Sequence, residues 1–434
     1  MSIMVTLNRK FRKPMLAFMK KHPRFRRNGR KVYYDFRGQL YKNQASKVPT
    51  NEKMVVFESF GGRQVSCSPR AIYEAMLADP RFDDWTFVWS FRKRSIKKMQ
   101  QDPMMERAQL VARCYDDYFE IMQQAKYWVV NTRVPEYVHP KDDQVYVQCW
   151  HGTPLKCLGF DVAIDSQNAL NSTEELAWRF GIDSEKWSYL LSPSPYTSLH
   201  LADAFGLPEE RRADVVLEEG YPRNDRIAAT CADPDTLAAA KAEICEKLGI
   251  PQDKKLFLYA PTWRDDAYQA GKGYVMEDTL LDFNRLRETM EADGWIVLFR
   301  AHYYIANKFD FEPYEGFVYD VSRGVDINDL YIISDALMTD YSSVFFDYAI
   351  TKRPILFFWP DWEHYANAIR GFYFDLKELP GPHCFNMDDV VEAIGKLDSY
   401  DEMYGEAYAE FRQTFCPKDD GHAAERVINK VFDV

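Results

Sequence analysis

The sequence lacks the features that mark membrane-spanning and disulfide-stabilised proteins. No stretch approaches the ~18 consecutive apolar residues of a spanning helix, and no small-residue cleavage site follows an apolar run, so we expect no signal peptide. The eight Cys are scattered through 434 residues and form no C-x-x-C pair, which predicts reduced thiols, a cytosolic protein and no zinc site. With 46% hydrophobic and 28% charged residues, the composition indicates a globular chain of two or three domains and excludes a disordered or collagen-like one.

The sequence also lacks the glycine-rich and nucleophile motifs of several common enzyme classes. It contains no G-x-x-x-x-G-K-S/T loop, no glycine-rich dinucleotide fingerprint after the first predicted strand, and no G-x-S-x-G nucleophile elbow. These absences disfavour a kinase, an NTPase, a dehydrogenase and an α/β-hydrolase.

The beginning of the chain is basic, whereas the rest of the chain is acidic. Residues 1–47 hold 14 Lys and Arg against the single acid Asp35, whereas the remaining residues hold 41 basic and 65 acidic ones. So acidic a body disfavours a nucleic-acid-binding enzyme. Apolar residues stand between the basic ones on both sides of Pro14, a pattern that suits an anionic bilayer, where each basic residue adds ~1 kcal/mol. We therefore predict that residues 1–48 associate with a membrane surface; a solvated or nucleic-acid-binding basic tail is the alternative.

Short apolar runs alternate with amphipathic stretches along the rest of the chain. Near-continuous apolar strands separated by helices are typical of parallel sheets covered on both faces. The predicted strands lie at 54–60, 85–89, 127–131, 145–150, 256–260, 295–300, 336–340 and 354–358. The predicted helices lie at 68–78, 279–293, 328–334, 343–351, 387–397 and 401–415. The pattern predicts an α/β fold with two Rossmann-like domains, 49–225 and 226–434, that face each other across a cleft, with ligands beyond the carboxyl ends of the strands.

A histidine and an arginine–histidine pair follow two of these strands. His151, with Gly152 after it, follows strand 145–150, and a histidine near neutral pH can accept a proton from a substrate. The alternative is a structural histidine under a turn. Arg300 and His302 follow another strand at i, i+2 spacing, so both side chains can face one anion, Arg300 as a fork for phosphate and His302 as a leaving-group acid. An arginine paired with an acid and a histidine that caps a loop are the alternatives there.

Hydroxyl-bearing residues follow two further strands. Pro261 and Thr262 form a turn suited to a nucleotide base or ribose, or only a well-packed turn. Ser342 and Ser343 stand where a helix should begin, and their hydroxyls and N–H groups can hold a phosphate, although Ser is also an ordinary N-cap. Asp347 lies one turn further along that helix, within reach of a ribose or glycerol hydroxyl.

Several motifs stand in unbroken order over roughly residues 145–430. They are W-H-G-T-P-L-K at 150–156, S-P-S at 192–194, G-Y-P-R-N-D at 220–225, A-P-T-W-R at 260–264, R-A-H at 300–302, T-D-Y-S-S-V-F-F-D-Y at 339–348 and D-G at 420–421. Together they resemble the CDP-glycerol glycerophosphotransferases of teichoic acid synthesis, which include poly(glycerol phosphate) polymerases and primases. Little before about residue 140 matches, so the choice of acceptor is the part that the resemblance leaves open.

The resemblance implies a GT-B-like fold of two Rossmann-type parallel-sheet domains, with the donor bound mainly to the second. It also implies peripheral attachment to the cytoplasmic face of the cell membrane. Carried over by position, it implies His151 as the base that deprotonates the acceptor hydroxyl, with Arg300 and His302 at the pyrophosphate easing departure of CMP. The substrate-binding residues that the motifs imply are Trp150, Gly152, Thr153, Pro154, Arg223, Pro261, Thr262, Arg300, Ala301, Ser342, Ser343 and Asp347.

We therefore predict transfer of glycerol phosphate from CDP-glycerol to a hydroxyl of a membrane-linked teichoic-acid-type acceptor, with release of CMP. The predicted partners are CDP-glycerol, a lipid-linked polyol-phosphate or saccharide acceptor and an anionic membrane surface, but no nucleic acid. We expect no cofactor and no protein-held metal, because no compact acidic cluster accompanies the motifs. Two alternatives have the same fold but a different donor: a CDP-ribitol ribitolphosphotransferase and a GT-B glycosyltransferase for a cell-surface polymer. A non-catalytic nucleotide-binding membrane protein is the third alternative.

Overall fold

The computed structural model describes residues 23–163, 172–262, 268–269, 273–274, 281–301, 310–362 and 371–433. Its strands are β1 (Asn51–Glu58), β2 (Thr86–Phe91), β3 (Ala108–Ala112), β4 (Ala125–Val130), β5 (Val145–Gln148), β6 (Tyr189–Leu191), β7 (Val216–Leu217), β8 (Lys255–Ala260), β9 (Tyr268–Gln269), β10 (Gly273–Tyr274), β11 (Trp295–Phe299), β12 (Val318–Asp320), β13 (Ala336–Thr339), β14 (Ile355–Phe358) and β15 (His383–Cys384). The first sheet has the order β3-β2-β1-β4-β5-β6-β7 and the second the order β12-β11-β8-β13-β14-β15, while β9 and β10 form a short antiparallel pair. Strands in both large sheets pair in parallel, as the sequence predicted.

Both faces of the first sheet are buried, which explains why its strands are apolar without alternation. Val55 of β1 pairs with Phe87 of β2 and Tyr127 of β4, and all three belong to the core on one face. The next residue, Val56, belongs to the core on the other face. All eight predicted strands are confirmed. The short strands β3, β6, β7, β12 and β15 escape prediction because runs of two to five residues carry too little periodicity.

Helices cover the faces of the two sheets. They are α1 (Pro23–Ala45), α2 (Cys67–Ala78), α3 (Ile96–Met99), α4 (Asp116–Gln124), α5 (Thr173–Ser184), α6 (Pro195–Ala204), α7 (Glu209–Val215), α8 (Asp225–Ala232), α9 (Pro234–Leu248), α10 (Phe283–Met290), α11 (Ile327–Ile333), α12 (Val344–Tyr348), α13 (Met387–Ile394), α14 (Tyr400–Phe415) and α15 (Ala423–Val431). All six predicted helices are confirmed, as α2, α10, α11, α12, α13 and α14.

Helix α1 packs on the first domain with one face and exposes the other. Arg26 forms a buried ion pair with Glu175 of α5 at 2.6 Å, and Tyr41 joins the core of the first domain. The exposed large apolar side chains of this helix are Phe25, Val32, Tyr33, Phe36 and Leu40. Within the described residues, no helix combines the length and the apolarity needed to cross a membrane.

Helix α15 returns to the first sheet. Val427 and Ile428 of this helix, with Phe432 just after it, belong to the core beside β1 and β2. The ring centroid of Phe432 lies 4.6 Å from that of Tyr127 on β4. The predicted boundaries assign this helix to the domain 226–434, whereas the structure packs it on the other domain, because its apolar face completes the first core.

The segment after β5 passes from one core to the other. Trp150 packs in the first core, with its ring centroid 4.9 Å from that of Phe205. Leu155 lies in the core of the second domain, and its carbonyl accepts a hydrogen bond from the N–H of Tyr373 at 3.1 Å. Residues 151–154 therefore lie where the two domains meet, at the carboxyl end of the first sheet.

Candidate active site

The ring of His151 is oriented by one hydrogen bond at the junction of the two domains. Its Nδ1 lies 2.9 Å from the backbone carbonyl oxygen of Asn131, the residue after β4. Because a carbonyl oxygen only accepts, Nδ1 carries the proton and donates it, which leaves the lone pair of Nε2 available. Asn131 is itself held in place, since its side-chain Oδ1 accepts from the N–H of Phe60 at 2.7 Å. The loop thus presents a histidine whose tautomer suits a general base.

The surroundings of His151 keep its ring neutral. The residue remains exposed to the cleft, but protein atoms lie close around it. The ring centroids of Trp150 and Phe60 lie 4.1 and 5.7 Å from that of His151. This desolvation lowers the pKa of His151 to about 4, and the positive charge of Arg223 acts in the same direction. At neutral pH the ring is therefore uncharged and able to accept a proton.

Arg223 and Asp347 form a buried ion pair beside the His151 loop. Nη2 of Arg223 donates to Oδ1 of Asp347 at 2.7 Å, and each residue is only 9% exposed. Burial alone would lower the pKa of Arg223, but the Asp347 carboxylate, together with Cys67 and Tyr221, outweighs burial and raises it. A Cβ at Gly152 would lie 3.4 Å from Oγ of Ser343 and 4.0 Å from Nη2 of Arg223. The loop of the first domain therefore lies directly against the start of α12 in the second.

A second buried carboxylate supports the segment that holds Arg223. Asp419 accepts from the N–H of Tyr221 at 2.7 Å with Oδ1 and from Nδ2 of Asn224 at 3.0 Å with Oδ2. The same Nδ2 donates to Asp347 at 3.2 Å. Burial raises the pKa of Asp419 to about 7, although its two hydrogen bonds act in the opposite direction. Two carboxylates thus fix the segment around Arg223 from two sides.

Ser342 and Ser343 stand directly before α12, as predicted. Both are partly buried. Oγ of Ser342 accepts from the N–H of Val344 at 3.5 Å, whereas Ser343 makes no side-chain cap bond. The N–H groups at the start of a helix lack intrahelical acceptors and suit an oxygen of an anion.

The loops after β8, β11 and β13 are tied to their neighbours at the carboxyl edge of the second sheet. The N–H of Thr262 donates to the side chain of Asp340, which follows β13, at 2.7 Å. Nη1 of Arg300 donates to the carbonyl oxygens of Val321 at 2.8 Å and Val325 at 3.0 Å. Thr262 and Arg300, which are predicted to bind the donor substrate, are therefore held in place by the loops around them.

Besides Gly152, Arg223 and Asp347, five further predicted substrate-binding residues are buried by packing. They are Trp150, Thr153, Pro154, Pro261 and Ala301. The N–H of Ala301 donates to Oγ of Ser322 at 3.0 Å, and the carbonyl of Pro154 accepts from the hydroxyl of Tyr196 at 2.9 Å. These residues shape the loops of the cleft, and direct contact with a substrate stays a prediction for them.

Tyr331 of α11 shows that the charged residues of the site lie together. Burial raises the pKa of its hydroxyl well above the usual value, and the charges of Asp347, Arg223 and Arg300 all act on it. These three side chains therefore lie within electrostatic range of the same buried hydroxyl. The second predicted catalytic residue, His302, lies outside the described residues.

Sequence reasoning missed Asn131, Asn224 and Asp419 as site residues. Asn131 could have been identified from the sequence, because it comes after β4 as His151 comes after β5. No local signal marks Asp419, whose partner Tyr221 is 198 positions away. Among the described residues, no three His, Cys, Asp or Glu side chains are placed to hold a metal ion.

The two parallel-sheet domains and the cleft between their carboxyl edges define a GT-B-like protein. A structure of the wall teichoic acid polymerase TagF has a TM-score of 0.80 and 34% identity, with 95% of this chain and 97% of that chain covered. This likeness confirms the predicted fold class.

Within that class, residues 39–433 match the model of the family CDP-Glycerol:Poly(glycerophosphate) glycerophosphotransferase. The chain belongs to this family, as its motifs predicted. It is 40% identical over 391 residues to the teichoic acid poly(glycerol phosphate) polymerase of Bacillus subtilis, covering 89% of this chain and 50% of that protein. It is 37% identical over 388 residues to the teichoic acid glycerol-phosphate transferase of Staphylococcus aureus, covering 89% of this chain and 94% of that protein. The chain thus spans half the length of the first relative and nearly all of the second.

Proposed function

We propose that this protein transfers glycerol phosphate from CDP-glycerol to a hydroxyl of a membrane-linked teichoic-acid-type acceptor and releases CMP. The observation that carries the proposal is the neutral His151, whose Nδ1 is fixed on a carbonyl and whose loop lies against the helix start at Ser343. A base thus lies beside the N–H groups that suit a donor phosphate. The family supports CDP-glycerol as the donor, and the names of both relatives support glycerol phosphate as the transferred group.

In this reaction the acceptor oxygen forms a bond to the β-phosphorus of CDP-glycerol. The bond between that phosphorus and the oxygen of the CMP portion breaks, and CMP leaves with the bonding electrons. Nε2 of His151 takes the proton of the attacking hydroxyl while Nδ1 keeps its proton on the Asn131 carbonyl. The proton on Nε2 then passes to solvent water.

Negative charge on the phosphoryl oxygens and the departing CMP is stabilised by fixed donors, because phosphoryl transfer depends mainly on positioning and electrostatics. We assign this role to Arg300, to His302 and to the N–H groups and hydroxyls at Ser342 and Ser343. Thr262 lies after β8 in the same donor domain. The Arg223–Asp347 pair ties α12 to the segment beside the His151 loop and so positions these donors relative to the base.

Nucleotide release from three donors tests the proposed substrate. CDP-glycerol, CDP-ribitol and UDP-glucose are each incubated with the protein and a lipid-linked acceptor analogue, and the released nucleotide is identified by chromatography. We expect CMP from CDP-glycerol as the main product. CMP from CDP-ribitol alone would change the substrate. UDP from UDP-glucose would indicate glycosyl transfer, and donor binding without release would indicate a non-catalytic protein.

We also propose that the protein binds the cytoplasmic face of the cell membrane peripherally through α1. Phe25, Val32, Phe36 and Leu40 are exposed and recur at helical spacing, so they share one face of the helix. The helix carries seven Lys and Arg against one Asp. An exposed apolar face with basic residues around it is typical of helices that lie in the interface of an anionic membrane.

Replacing both Phe25 and Phe36 by Asp should weaken binding to phosphatidylglycerol-rich vesicles by about tenfold or more, because two apolar side chains no longer enter the interface. Co-sedimentation with vesicles measures the effect. The matched control is Phe385→Asp, which alters an exposed Phe of the second domain (42% exposed) and should leave binding unchanged. Equal binding of the α1 double variant and the wild type would contradict a membrane role for this face.

A further inference from the structure

A cavity of about 910 Å³ opens beside His151 along the carboxyl edge of the first sheet. Its wall is built largely from residues that follow β1, β2, β3, β4 and β5, with Tyr34 of α1 and two residues of α5. Trp150 and His151 form part of the wall, so a group in this cavity lies next to the proposed base. All the lining residues precede the second sheet, which places the cavity on the side of the cleft away from the donor domain.

The lining of this cavity is strongly basic. Seven Lys and Arg side chains line it, with Glu136 as the one acidic residue among the described lining. The cations are Arg63, Arg92, Lys93, Arg94, Arg113, Arg133 and Arg179, and we call this cavity the arginine pocket. The chain after residue 47 is otherwise rich in acid, so this local surplus of positive charge indicates a site for anions.

In the described part of the chain, carboxylates pair with at least two of the seven cations. Nε of Arg113 donates to Oε1 of the buried Glu58 at 2.9 Å, and Nε of Arg179 donates to Oε1 of Glu136 at 2.6 Å. Even with Glu58 counted, seven cations face two carboxylates. Among the described lining residues, positive charge therefore exceeds negative charge.

Arg133 has a buried guanidinium nitrogen that no described residue satisfies. Its guanidinium lies over the ring of Phe180 at 4.8 Å, and its Nη1 is buried with no hydrogen-bond partner in the described part of the chain. Burial lowers the pKa of Arg133, and the like charge of Arg179 lowers it further. A buried guanidinium nitrogen is costly unless it donates to an acceptor, and phosphate oxygens match its planar fork.

We propose that the arginine pocket binds phosphate groups of the acceptor, so that the protein recognises a phosphate-bearing chain rather than a neutral saccharide. This inference rests on the proposed function, because only an acceptor chain must pass next to the base at His151. A volume of about 910 Å³ falls within the usual range of ligand sites and holds more than a single phosphate. Arg133 contacts the chain inside the pocket, and the exposed Arg63 and Arg94 contact it at the rim.

Calorimetric binding of a soluble glycerol phosphate oligomer to the full-length protein, without donor, tests the proposal. Arg133→Gln and Arg94→Gln should each raise the dissociation constant by about tenfold or more, because each removes a charge-assisted contact with phosphate. Lys97→Gln is the matched control, since it removes an exposed charge from α3 close to Arg94 without touching the pocket. It should bind the oligomer like the wild type.

Arg133→Lys separates the loss of charge from the loss of packing over Phe180 and should recover part of the affinity. Inorganic pyrophosphate is the second probe, because a lipid pyrophosphate carries the same chemistry as the phosphodiesters of a polymer. Binding of pyrophosphate alone, lost in Arg133→Gln, would support the pocket with the lipid headgroup as the source of phosphate. Unchanged binding of both probes to Arg133→Gln and Arg94→Gln would overturn the proposal. Oligomer binding that the variants lose, in a wild-type protein that releases no CMP, would support the pocket and overturn the proposed reaction.

Discussion

Replacing His151 by alanine should lower kcat by about 10²- to 10⁴-fold, because the acceptor hydroxyl loses its general base. The dissociation constant for CDP-glycerol should stay within about twofold of the wild type, since the residues assigned to the donor lie in the other domain. Rates of CMP release and calorimetric titration with the donor measure the two effects. His422→Ala is the control, because the side chain of His422 is 69% exposed and its position in the sequence is far from the His151 loop.

A dissociation constant that rises as much as kcat falls would show that His151 binds the donor instead of acting as a base. The pH profile provides a separate readout. Only the neutral ring accepts a proton, so activity is lost as the pH falls through the pKa of His151, which is about 4. We expect kcat/KM to stay flat from neutral pH down to about pH 5, where a histidine with the usual pKa near 6.5 would be mostly protonated. An acid limb near 6.5 that disappears in His151→Ala would contradict the neutral environment.

Replacing Asp347 by alanine should lower the free energy of unfolding by about 3–5 kcal/mol, because it leaves the buried Arg223 charge without its partner. Nη2 of Arg223 and Nδ2 of Asn224 both lose the acceptor at Oδ1 of Asp347. The start of α12 also loses its tie to the segment that carries Arg223, which lies beside the His151 loop. CMP release should therefore fall together with stability. Urea denaturation and steady-state rates measure the two effects.

Asp388→Ala provides the comparison for a surface ion pair. Asp388 pairs with Arg285 at 2.6 Å, but its side chain is 84% exposed, so its loss should cost about 1 kcal/mol or less. Asp347→Asn should fall between the two, since an amide oxygen still accepts from Arg223 without supplying the charge. Equal destabilisation by Asp347→Ala and Asp388→Ala would contradict the view that the Arg223–Asp347 pair holds the two domains together.

The positions of the principal site residues could be predicted because parallel sheets place the ends of their strands at one edge. His151, Arg300 and Ser342 each follow a strand that is apolar on both faces, and such strands can be recognised from the sequence alone. The helix start at Ser343 was predictable for the same reason, since hydroxyl residues between a buried strand and an amphipathic stretch indicate an N-cap.

The partners of those residues were not predictable in the same way. Arg223 and Asp347 are 124 positions apart. Their pairing depends on how the two domains pack, and no local sequence pattern predicts that packing. The core on which α15 packs was unpredictable for a similar reason, because an apolar helix face does not indicate which of two cores it completes. The arginine pocket escaped notice because its cations follow several different strands and gather only when the sheet forms.

The most direct test of the central claim is the mass of the acceptor after incubation with CDP-glycerol, measured together with the amount of CMP released. The proposed reaction predicts one glycerol phosphate unit added to the acceptor for each CMP, with both lost in His151→Ala. CMP release without growth of the acceptor, or growth that persists in His151→Ala, would contradict transfer to an acceptor hydroxyl with His151 as the base.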